Sequence, residues 1–354
     1  MKICIITDTH FGVHNDSPIF QKYFKHFYSD IFFPFLEKNN IKTIFHLGDF
    51  FDRRKYINYV TLNNIRRNFV NKIKEAEIDF HIILGNHDCY YKNTNEINSV
   101  SEIFEDNKHH IKIYNSPQRV NFDGVEISVL PWIPQDQVQS SLDFIREDHK
   151  FLFGHLQLTG FEVIKGLRIE EGISPEHFSH IPNVLSGHYH TRQEKGNVNY
   201  LGTPYQMSWN DYEDKKGFYV FDTENQQLTF IENTEELYLK FYYNDDTDDI
   251  QEKIESFLSK IKEKFVKVVV LKKNNIELFD TFLDKVYLQE PAEVLLIEED
   301  PLINSGEVSV NVLEKDAISL LYECVDDLLI SENKDTLKLI LKDLYMEAIS
   351  GEAH

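Results

Sequence analysis

The stretch FHIILGNHD, residues 80–88, places a short apolar run directly before a glycine and three residues whose side chains can bind metals or move protons. Four other segments of the chain repeat this arrangement, in which metal-ligating side chains follow a run that predicts a buried strand. The five segments are Asp8-Thr9-His10, Gly48-Asp49, Gly85-Asn86-His87-Asp88, Gly154-His155 and Gly187-His188-Tyr189-His190, and they follow Lys2–Thr7, Thr43–Leu47, Phe80–Leu84, Phe151–Phe153 and Asn183–Ser186. Because ligands collect outside the carboxyl ends of strands in α/β sheets, we expect all five strand ends to face one crevice. The glycines are expected to permit the tight turns that this requires.

The ligand types in these segments indicate two divalent metal ions. Carboxylate, amide oxygen and imidazole suit borderline ions such as Mn²⁺, Fe²⁺ or Zn²⁺, and the set contains no thiolate of the kind that structural zinc sites use. The set is too large for one ion: Asp8, His10, Asp49, Asn86, His155, His188 and His190. Two ions about 3.5–4 Å apart, sharing one bridging carboxylate, would use that number and leave positions open for water and a phosphate oxygen. The sequence therefore predicts a phosphoesterase.

These residues resemble the calcineurin-like metallophosphoesterases. Within that family the chain is most similar to the DNA double-strand-break repair nucleases of the meiotic-recombination-eleven and SbcD type, and nearest to the recombination endonuclease subunit of T-even-like phages. The narrower likeness is carried by Gly48-Asp49-Phe50-Phe51-Asp52, Leu130-Pro131-Trp132, Tyr200-Leu201-Gly202-Thr203-Pro204 and Leu344-Tyr345-Met346-Glu347-Ala348. The likeness covers nearly the full length, with motifs that are highly specific in the first 205 residues and weak afterwards.

The resemblance implies a role for each site residue. One metal would be held by Asp8, His10 and His190, the other by Asn86, His155 and His188, with Asp49 as the bridge and Mn²⁺ as the expected ion. His87 would face the scissile phosphate and either stabilise the transition state or protonate the leaving oxygen, which an imidazole does near neutral pH. The implied mechanism is metal-assisted hydrolysis without a covalent intermediate.

Two acidic residues keep alternative interpretations. Asp88 is a catalytic candidate that would orient His87, or else a cap for the following segment. Asp52 stands where some relatives carry histidine. It would contact a ligand histidine, or pair with Arg53 and Arg54 in the loop.

Charge leaves the substrate open. The formal net charge of −22 opposes nucleic-acid binding, which depends on basic groups that neutralise phosphates. However, seven basic residues and no acid occupy residues 53–74, beside the predicted metals. The run either is a solvated helix face or contacts a DNA backbone, and the DNA-binding candidates are Arg53, Arg54, Lys55, Arg66 and Arg67. We expect weak, salt-sensitive binding by the isolated chain.

Bulk composition is that of a globular chain, with 42% hydrophobic residues. Three scattered cysteines, Cys4, Cys89 and Cys324, fit a reducing compartment, and the apolar run at the N-terminus is too short for a signal peptide. No run reaches the length of a membrane span. A cytoplasmic location, in the host cytoplasm if the source is viral, is the expectation.

The pattern along the chain predicts three parts and an α/β fold. Residues 1–232 are expected to form a two-sheet metallophosphoesterase sandwich flanked by helices, including an aromatic-rich helix from Ser17 to Lys38. Residues 233–300 read as a small α/β unit that resembles the DNA-capping domain of the nuclease branch. Residues 301–354 predict C-terminal helices, which either pack on their own domain or bind a partner.

The resemblance favours a partner, namely the coiled coil of an ABC-type ATPase, with a homodimer of this chain inside a heterotetramer. The partner-binding candidates are Leu337, Ile340, Leu341, Leu344 and Tyr345. The predicted function is a two-metal DNA nuclease, acting as exonuclease on duplex ends and endonuclease on single strands and hairpins. The alternatives are a phosphatase or phosphodiesterase for small substrates, and an inactive scaffold that links an ATPase to DNA.

Overall fold

The structure is a computed structural model that describes residues 1–104, 109–164, 167–168, 171–247 and 249–298, and positions 322, 325, 334, 337, 338 and 340–342. It divides into two compact units. The first comprises Met1–Tyr205 and Glu213–Glu235, and the second comprises Gln206–Tyr212 with the residues from Glu236 onward. The boundaries predicted at 232 and 300, and the roles assigned to the parts, stay predictions.

Two sheets form the first unit. In its described part, the first sheet has the order β14-β13-β1-β2-β3-β4 and the second the order β11-β12-β10-β7-β6-β5. The strands of the first sheet are β1 Lys2–Ile6, β2 Thr43–His46, β3 Asp79–Ile83, β4 Ile111–Tyr114, β13 Lys216–Asp222 and β14 Gln227–Asn233. The strands of the second are β5 Gln118–Phe122, β6 Val125–Leu130, β7 Phe151–His155, β10 Asn183–Gly187, β11 Gln193–Lys195 and β12 Val198–Tyr200, and a separate ribbon pairs β8 Glu162–Ile164 with β9 Leu167–Arg168.

Parallel pairing brings the ligand-bearing strand ends to the same edge of each sheet. Strands β1, β2 and β3 run parallel in the first sheet, with Ile6 opposite His46. Strands β7 and β10 run parallel in the second, with His155 opposite Gly187. The five predicted strands are confirmed, and the predicted ligand segments leave from two different sheets.

A continuous apolar core lies between the two sheets. The first sheet contributes Ile3, Phe45 and Ile83, and the second contributes Val129 and Phe153, all with essentially no exposed surface. Burial of these side chains is the main force that holds the sheets together, because each contributes about 1.5–3 kcal/mol. Close packing then fixes the strand ends relative to one another.

Helices cover the sheets. The described α-helices include Pro18–His26, Phe33–Lys38, Tyr59–Ile65, Asn71–Glu75, Ser99–Phe104 and Val138–Ile145. Wider π turns lie at Phe27–Phe32 and Arg66–Val70, and 3-10 turns lie at Gln135–Gln137 and Pro175–Phe178. The aromatic-rich helix begins at Pro18 after Ser17, as predicted. Its rings pack inward: Phe24 stacks on Tyr205 at 4.3 Å between ring centroids, and Phe32 lies edge-on to Phe218 of β13 at 5.0 Å. The stripe is core.

The second unit has the predicted alternation of strand and helix. Strands β15 Tyr238–Asn244, β16 Phe265–Lys272 and β17 Glu293–Glu298 form a parallel sheet, and the helices Ile250–Leu258 and Ile276–Leu288 connect them. Asn275 caps the second helix by accepting from the amide of Leu278. The 3-10 turn Trp209–Asp211 also belongs to this unit.

Most of the predicted C-terminal segment lies outside the described residues, including Leu344 and Tyr345. Of its described positions, Tyr322 and Val325 are helical and buried within the single chain, and Ile340 is helical and 48% exposed. Among the described helices, none combines the length and the hydropathy that crossing a bilayer requires.

Candidate metal centre

The structure brings the seven predicted ligands together where the two sheets meet. Three overlapping groups of side chains have ligand atoms within 4.8 Å of one another, and each fits the size of a metal site: Asp8, His10 and His190; His10, Asp49 and His87; Asp49, His155 and His188. Asp49 belongs to two of these groups and lies between them. That placement suits the bridging role expected of this carboxylate.

On one side, His10 and His190 face each other. Their Nε2 atoms are 3.1 Å apart, and His10 Nε2 lies 3.7 Å from Asp49 Oδ2 and 4.0 Å from Asp8 Oδ1. Asp8 is fully buried, and its carboxylate accepts from the Thr7 hydroxyl at 2.6 Å and from the backbone amide of His188 at 3.0 Å. These contacts connect the first segment to the last.

On the other side, the side-chain oxygen of Asn86 lies between two imidazoles. Asn86 Oδ1 is 3.1 Å from His155 Nε2 and 2.9 Å from His188 Nδ1, and His155 Nε2 is 3.4 Å from Asp49 Oδ2. Asn86, His155 and Asp49 are all buried. Such a dry cluster of oxygen and nitrogen lone pairs is typical of a site that holds a cation.

Contacts behind two ligand histidines determine which ring nitrogen faces inward. His155 Nδ1 lies 2.7 Å from the carbonyl of Leu47, which only accepts hydrogen bonds, so Nδ1 carries a proton and Nε2 is the nitrogen that would present a lone pair to a metal. His10 Nδ1 lies 3.4 Å from Asp52 Oδ1, and its Nε2 faces the cluster. Metal-ligating histidines usually have an acceptor behind them in this way. Of the two interpretations of Asp52, the structure favours contact with a ligand histidine.

The ligand loops have unusual backbones. Asp8, His10, Asp49 and His188 all adopt positive φ, at 50°, 42°, 54° and 92°. Non-glycine residues rarely do so, and such strain concentrates at functional sites, where surrounding structure overcomes its cost of about 1–3 kcal/mol each. The strained positions coincide with predicted ligands.

Glycines permit these loops to approach one another, mainly because there is no space for a side chain and only in one case because the turn needs a positive φ. Of the four glycines predicted to permit turns, only Gly48 has positive φ, at 88°. Gly85 is needed for space, because a Cβ there would lie 2.1 Å from Asp49 Oδ1, and a Cβ on Gly187 would lie 2.1 Å from Thr7 Oγ1. The side chains of the site fill the volume that any other residue would need.

Asp88 holds the loop that carries Asp49, the predicted bridging carboxylate. Its Oδ2 accepts from the amides of Asp49 at 2.9 Å and Gly85 at 2.8 Å, and its Oδ1 accepts from those of Phe50 and Phe51 at 3.0 and 3.2 Å. Among the described contacts of this carboxylate, none goes to His87 and none caps the helix Ser99–Phe104. Both interpretations of Asp88 from the sequence therefore need correction, because four backbone amides already use its oxygens.

His87 is oriented by a main-chain group instead. Its Nδ1 lies 2.6 Å from the carbonyl oxygen of Asp52, so Nδ1 donates and Nε2 is the atom left to exchange a proton. Its own amide donates to Asp49 Oδ1 at 2.8 Å, and its ring lies edge-on to that of His10 at 4.9 Å. His87 is thus held against Asp49, the predicted bridging carboxylate.

The pKa values of the site residues are shifted because many ionisable groups are buried close together. Burial, opposed by His155, raises the pKa of Asp8 to about 6, and burial together with Asp49 raises the pKa of Asp88 to about 7. Burial alone would lower the pKa values of His10 and His155, but neighbouring carboxylates outweigh it and raise both to about 9. Burial lowers the pKa of His87. The carboxylates that stabilise the cationic form of these imidazoles would stabilise a bound metal cation in the same way.

Several residues at the site escaped the sequence analysis. Tyr205 donates to the carbonyl of Thr9 at 2.6 Å, and buried Lys216 donates to the carbonyl of His190 at 2.9 Å and to Asp214 at 2.8 Å. Trp132 lies over His188 with ring centroids 5.4 Å apart. Trp132 stood in a recognised motif, but no local pattern marks Tyr205 or Lys216, because their partners are distant in sequence.

The basic run does not act as one surface. Arg53 is buried, 2.8 Å from Asp16 Oδ2 and 2.7 Å from Asn15 Oδ1, and so its predicted DNA contact is incompatible with the structure. Arg54 is half-buried, and Lys55, Arg66 and Arg67 are exposed. Arg53 instead secures residues 13–16, where His14, Asn15 and Asp16 all have left-handed backbones.

A pair of packed sheets that bring carboxylate, amide and imidazole ligands together at adjoining strand ends defines a metallophosphoesterase. Residues 1–200 match the calcineurin-like phosphoesterase family, and the chain belongs to that family. Membership makes the protein an enzyme of the phosphoester hydrolase class that uses divalent metal ions. The residue-level ligand assignment remains a prediction.

Two relatives narrow the comparison. The chain is 36% identical over 208 residues to exonuclease subunit 1 of Enterobacteria phage T4, which covers 58% of this chain and 60% of the relative. It is 27% identical over 225 residues to the SbcD subunit of the nuclease SbcCD of Staphylococcus epidermidis, which covers 54% of this chain and 57% of the relative. The chain thus matches less than two thirds of the length of either.

One solved structure, from the characterisation of a novel archaeal phosphodiesterase, aligns with 66% of this chain and 100% of its own. The TM-score is 0.33 and the identity 16%. This likeness is too weak to bear on fold or function.

Proposed function

We propose that this protein is a two-metal-dependent phosphodiesterase that cleaves DNA and serves as the nuclease subunit of a complex with an ABC-type ATPase. The observation that carries the proposal is the convergence of the predicted ligand side chains, all buried or half-buried, around Asp49, in a chain whose two relatives are named as nuclease subunits. Exonuclease action on duplex ends and endonuclease action on single strands and hairpins belong to the same proposal.

The residues present fit two metal ions. Asp8, His10 and His190 would hold one, Asn86, His155 and His188 the other, and Asp49 both. The fit rests on the orientation of the imidazole rings. His155, for example, donates its Nδ1 proton to the carbonyl of Leu47 and turns Nε2 towards Asp49. When bound, divalent ions lower the pKa of water and neutralise charge on the phosphate, and Mn²⁺ is the expected ion.

The chain's own contribution to the reaction centres on His87. Its Nδ1 proton is committed to the Asp52 carbonyl, so a protonated His87 donates from Nε2 to a phosphate oxygen or to the leaving oxygen. Asp88 holds Asp49, Phe50 and Phe51 by their amides and so fixes the bridging carboxylate relative to His87. A positioned imidazole of this kind contributes about 10²–10⁴-fold to the rate.

DNA contact is proposed for the exposed basic residues Lys55, Arg66 and Arg67 and for half-buried Arg54, without Arg53. With a net charge of −22 the chain should bind DNA weakly and lose affinity steeply as salt rises. The ATPase partner would then supply the missing affinity.

The partner surface is proposed to lie within residues 301–354. Exposed Ile340 supports it, whereas Tyr322 and Val325 are already buried within the single chain. A chain lacking residues 310–354 should lose ATPase association in co-purification and keep its metals. An undiminished complex would refute this part of the proposal.

The decisive experiment is a cleavage assay on end-labelled duplex, hairpin and single-stranded DNA with Mn²⁺ or Mg²⁺, with and without the ATPase. His87→Ala should abolish cleavage while metal content, measured by mass spectrometry, stays at two ions. His177→Ala, which removes an exposed histidine, is the matched control and should cleave normally.

Three results would contradict the proposal. Hydrolysis of free nucleotides without any cut in DNA would favour a small-substrate phosphoesterase. A metal-loaded complex that cuts nothing would favour a scaffold. Loss of metal in His87→Ala would make His87 a ligand, as its place beside His10 and Asp49 also permits.

A further inference from the structure

Four tyrosines are exposed on the two loops that lead away from the metal centre. Tyr56 and Tyr59 follow the Asp49 segment and are 49% and 87% exposed, and Tyr90 and Tyr91 follow His87 and are 39% and 49% exposed. Most tyrosines of the first unit are buried against neighbours, as Tyr28 and Tyr205 are. Exposed aromatic side chains in a group mark a binding surface more often than chance placement does.

Both loops begin at the same point of the site. The hydrogen bond from His87 Nδ1 to the Asp52 carbonyl, at 2.6 Å, joins them. Tyr56 is four residues beyond Asp52, and Tyr90 is three beyond His87. Because a residue spans at most about 3.6 Å, the Cα atoms of Tyr56 and Tyr90 lie within roughly 14 Å of those of Asp52 and His87, respectively. Tyr91 is four residues beyond His87, and Tyr59, seven residues beyond Asp52, lies within roughly 25 Å of it. A bound strand of a few nucleotides could therefore reach from the site to either tyrosine pair.

The backbones that carry these rings are held in place. Tyr90 donates its amide to the carbonyl of Ile97 at 2.9 Å, and the Tyr90 and Tyr91 rings meet edge-on at 4.7 Å. Tyr59 begins a helix that Asn58 caps through the amide of Val60 at 2.8 Å. Because these backbones are already ordered, less conformational entropy is lost when a flat ligand stacks on the rings that they carry.

Charge indicates what the ligand is. Exposed Lys55 directly precedes Tyr56, exposed Lys92 directly follows Tyr91, and no acidic residue occurs in residues 53–74 or 90–95. Aromatic rings beside basic groups form the kind of surface to which single-stranded nucleic acid binds, with bases on the rings and phosphates on the cations. A paired duplex hides the faces of its bases, so it would use the cations but not the rings.

Resting on the proposed function, we propose that Tyr56, Tyr59, Tyr90 and Tyr91 form a stacking platform for unpaired bases next to the metal centre. The preferred substrate is then a single-stranded or locally unpaired strand that places its phosphate at His87 with flanking bases on the rings. The platform would distinguish strands that carry unpaired bases from strands that lack them, but it would not distinguish one base from another.

The test uses the full chain and three probes: a single-stranded oligonucleotide, an abasic strand of equal length, and bis(p-nitrophenyl) phosphate. The variants are Tyr56→Ala with Tyr59→Ala, Tyr90→Ala with Tyr91→Ala, and the corresponding Phe pairs as controls that keep a ring. Each Ala pair should lower cleavage of the oligonucleotide about ten-fold, equivalent to about 1.4 kcal/mol, and leave the other two probes unchanged. The Phe pairs should match the parent protein.

Anisotropy measurements in a His87→Ala background separate binding from cleavage. Base-dependent binding that the Ala pairs lose would uphold the platform, and if the parent protein with native His87 also cut no DNA, the same result would refute the nuclease. Cleavage that is equal on normal and abasic strands, or Ala pairs indistinguishable from the parent, would overturn the platform and spare the nuclease. Ala pairs that fail on all three probes, or that lose only self-association, would also overturn it.

Discussion

Replacing Asp88 by Asn isolates the role of the most thoroughly bonded carboxylate in the site. Each oxygen of Asp88 accepts from two backbone amides, Oδ2 from Asp49 and Gly85 and Oδ1 from Phe50 and Phe51. In Asp88→Asn one oxygen becomes an amide donor, and whichever oxygen it is, two buried N–H groups lose their acceptor. At about 1–3 kcal/mol for each, the expected loss of stability is roughly 2–6 kcal/mol.

The assay is thermal unfolding at pH 8, where Asp88, with its pKa raised to about 7 by burial and by Asp49, is ionised. For a domain of this size the melting temperature should fall by at least about 4 °C, since each kcal/mol lowers it by about 2–4 °C. Metal content should fall as well, because the displaced loop carries the bridge. Asp136→Asn, at an exposed position, is the matched control and should change neither.

A different outcome would refute this reasoning. If Asp88→Asn melts like the parent and keeps its metals but cleaves slowly, Asp88 acts through His87 and not through the loop amides. The expectation from the sequence would then be restored.

Further predictions address the site and the core. Gly85→Ala should lose metal and stability, because its Cβ would lie 2.1 Å from Asp49 Oδ1, whereas Gly124→Ala, whose Cβ meets open space, should cost only backbone strain; equal metal content in both would contradict this. His188→Ala should retain less than the full metal complement by mass spectrometry, and two tightly held ions would disprove its ligand role. Burial, helped by Lys112, lowers the pKa of His81 to about 3. The unfolded chain, with a pKa of about 6.5, therefore takes up the proton first. Stability from this residue is complete above pH 6.5 and falls by up to about 1.4 kcal/mol per pH unit towards pH 3. Urea titrations should show a flatter pH profile for His81→Phe, and an unchanged slope would count against the argument.

The local sequence pattern was sufficient to predict most strands and helices of the site, and to identify the polar residues at the ends of the strands. Alternation and apolar runs are properties of neighbouring residues, so β1, β2, β3, β7 and β10 were all predictable, as were the helix after Ser17 and the α/β character of residues 233–300. Placement of ligands after strands follows from covalent adjacency alone.

Hydrogen-bond partners were not predictable, because they join residues far apart in sequence. Asp88 was assigned to its neighbour His87, but it binds amides 37 to 39 residues away. Arg53 was assigned to DNA, but Asp16 and Asn15 draw it into the interior, where an unpaired guanidinium would be costly.

The sequence by itself determined which residues stand at the ends of which strands, because strand propensity and side-chain chemistry are local. Only the tertiary structure decided that three of those strands belong to one sheet and two to another, and that Asp49, the predicted bridge, lies between the two groups of predicted ligands. It also decided which nitrogen of His155 and His87 faces the site. These outcomes depend on close packing of the two sheets, which sets distances between residues that no short-range pattern connects.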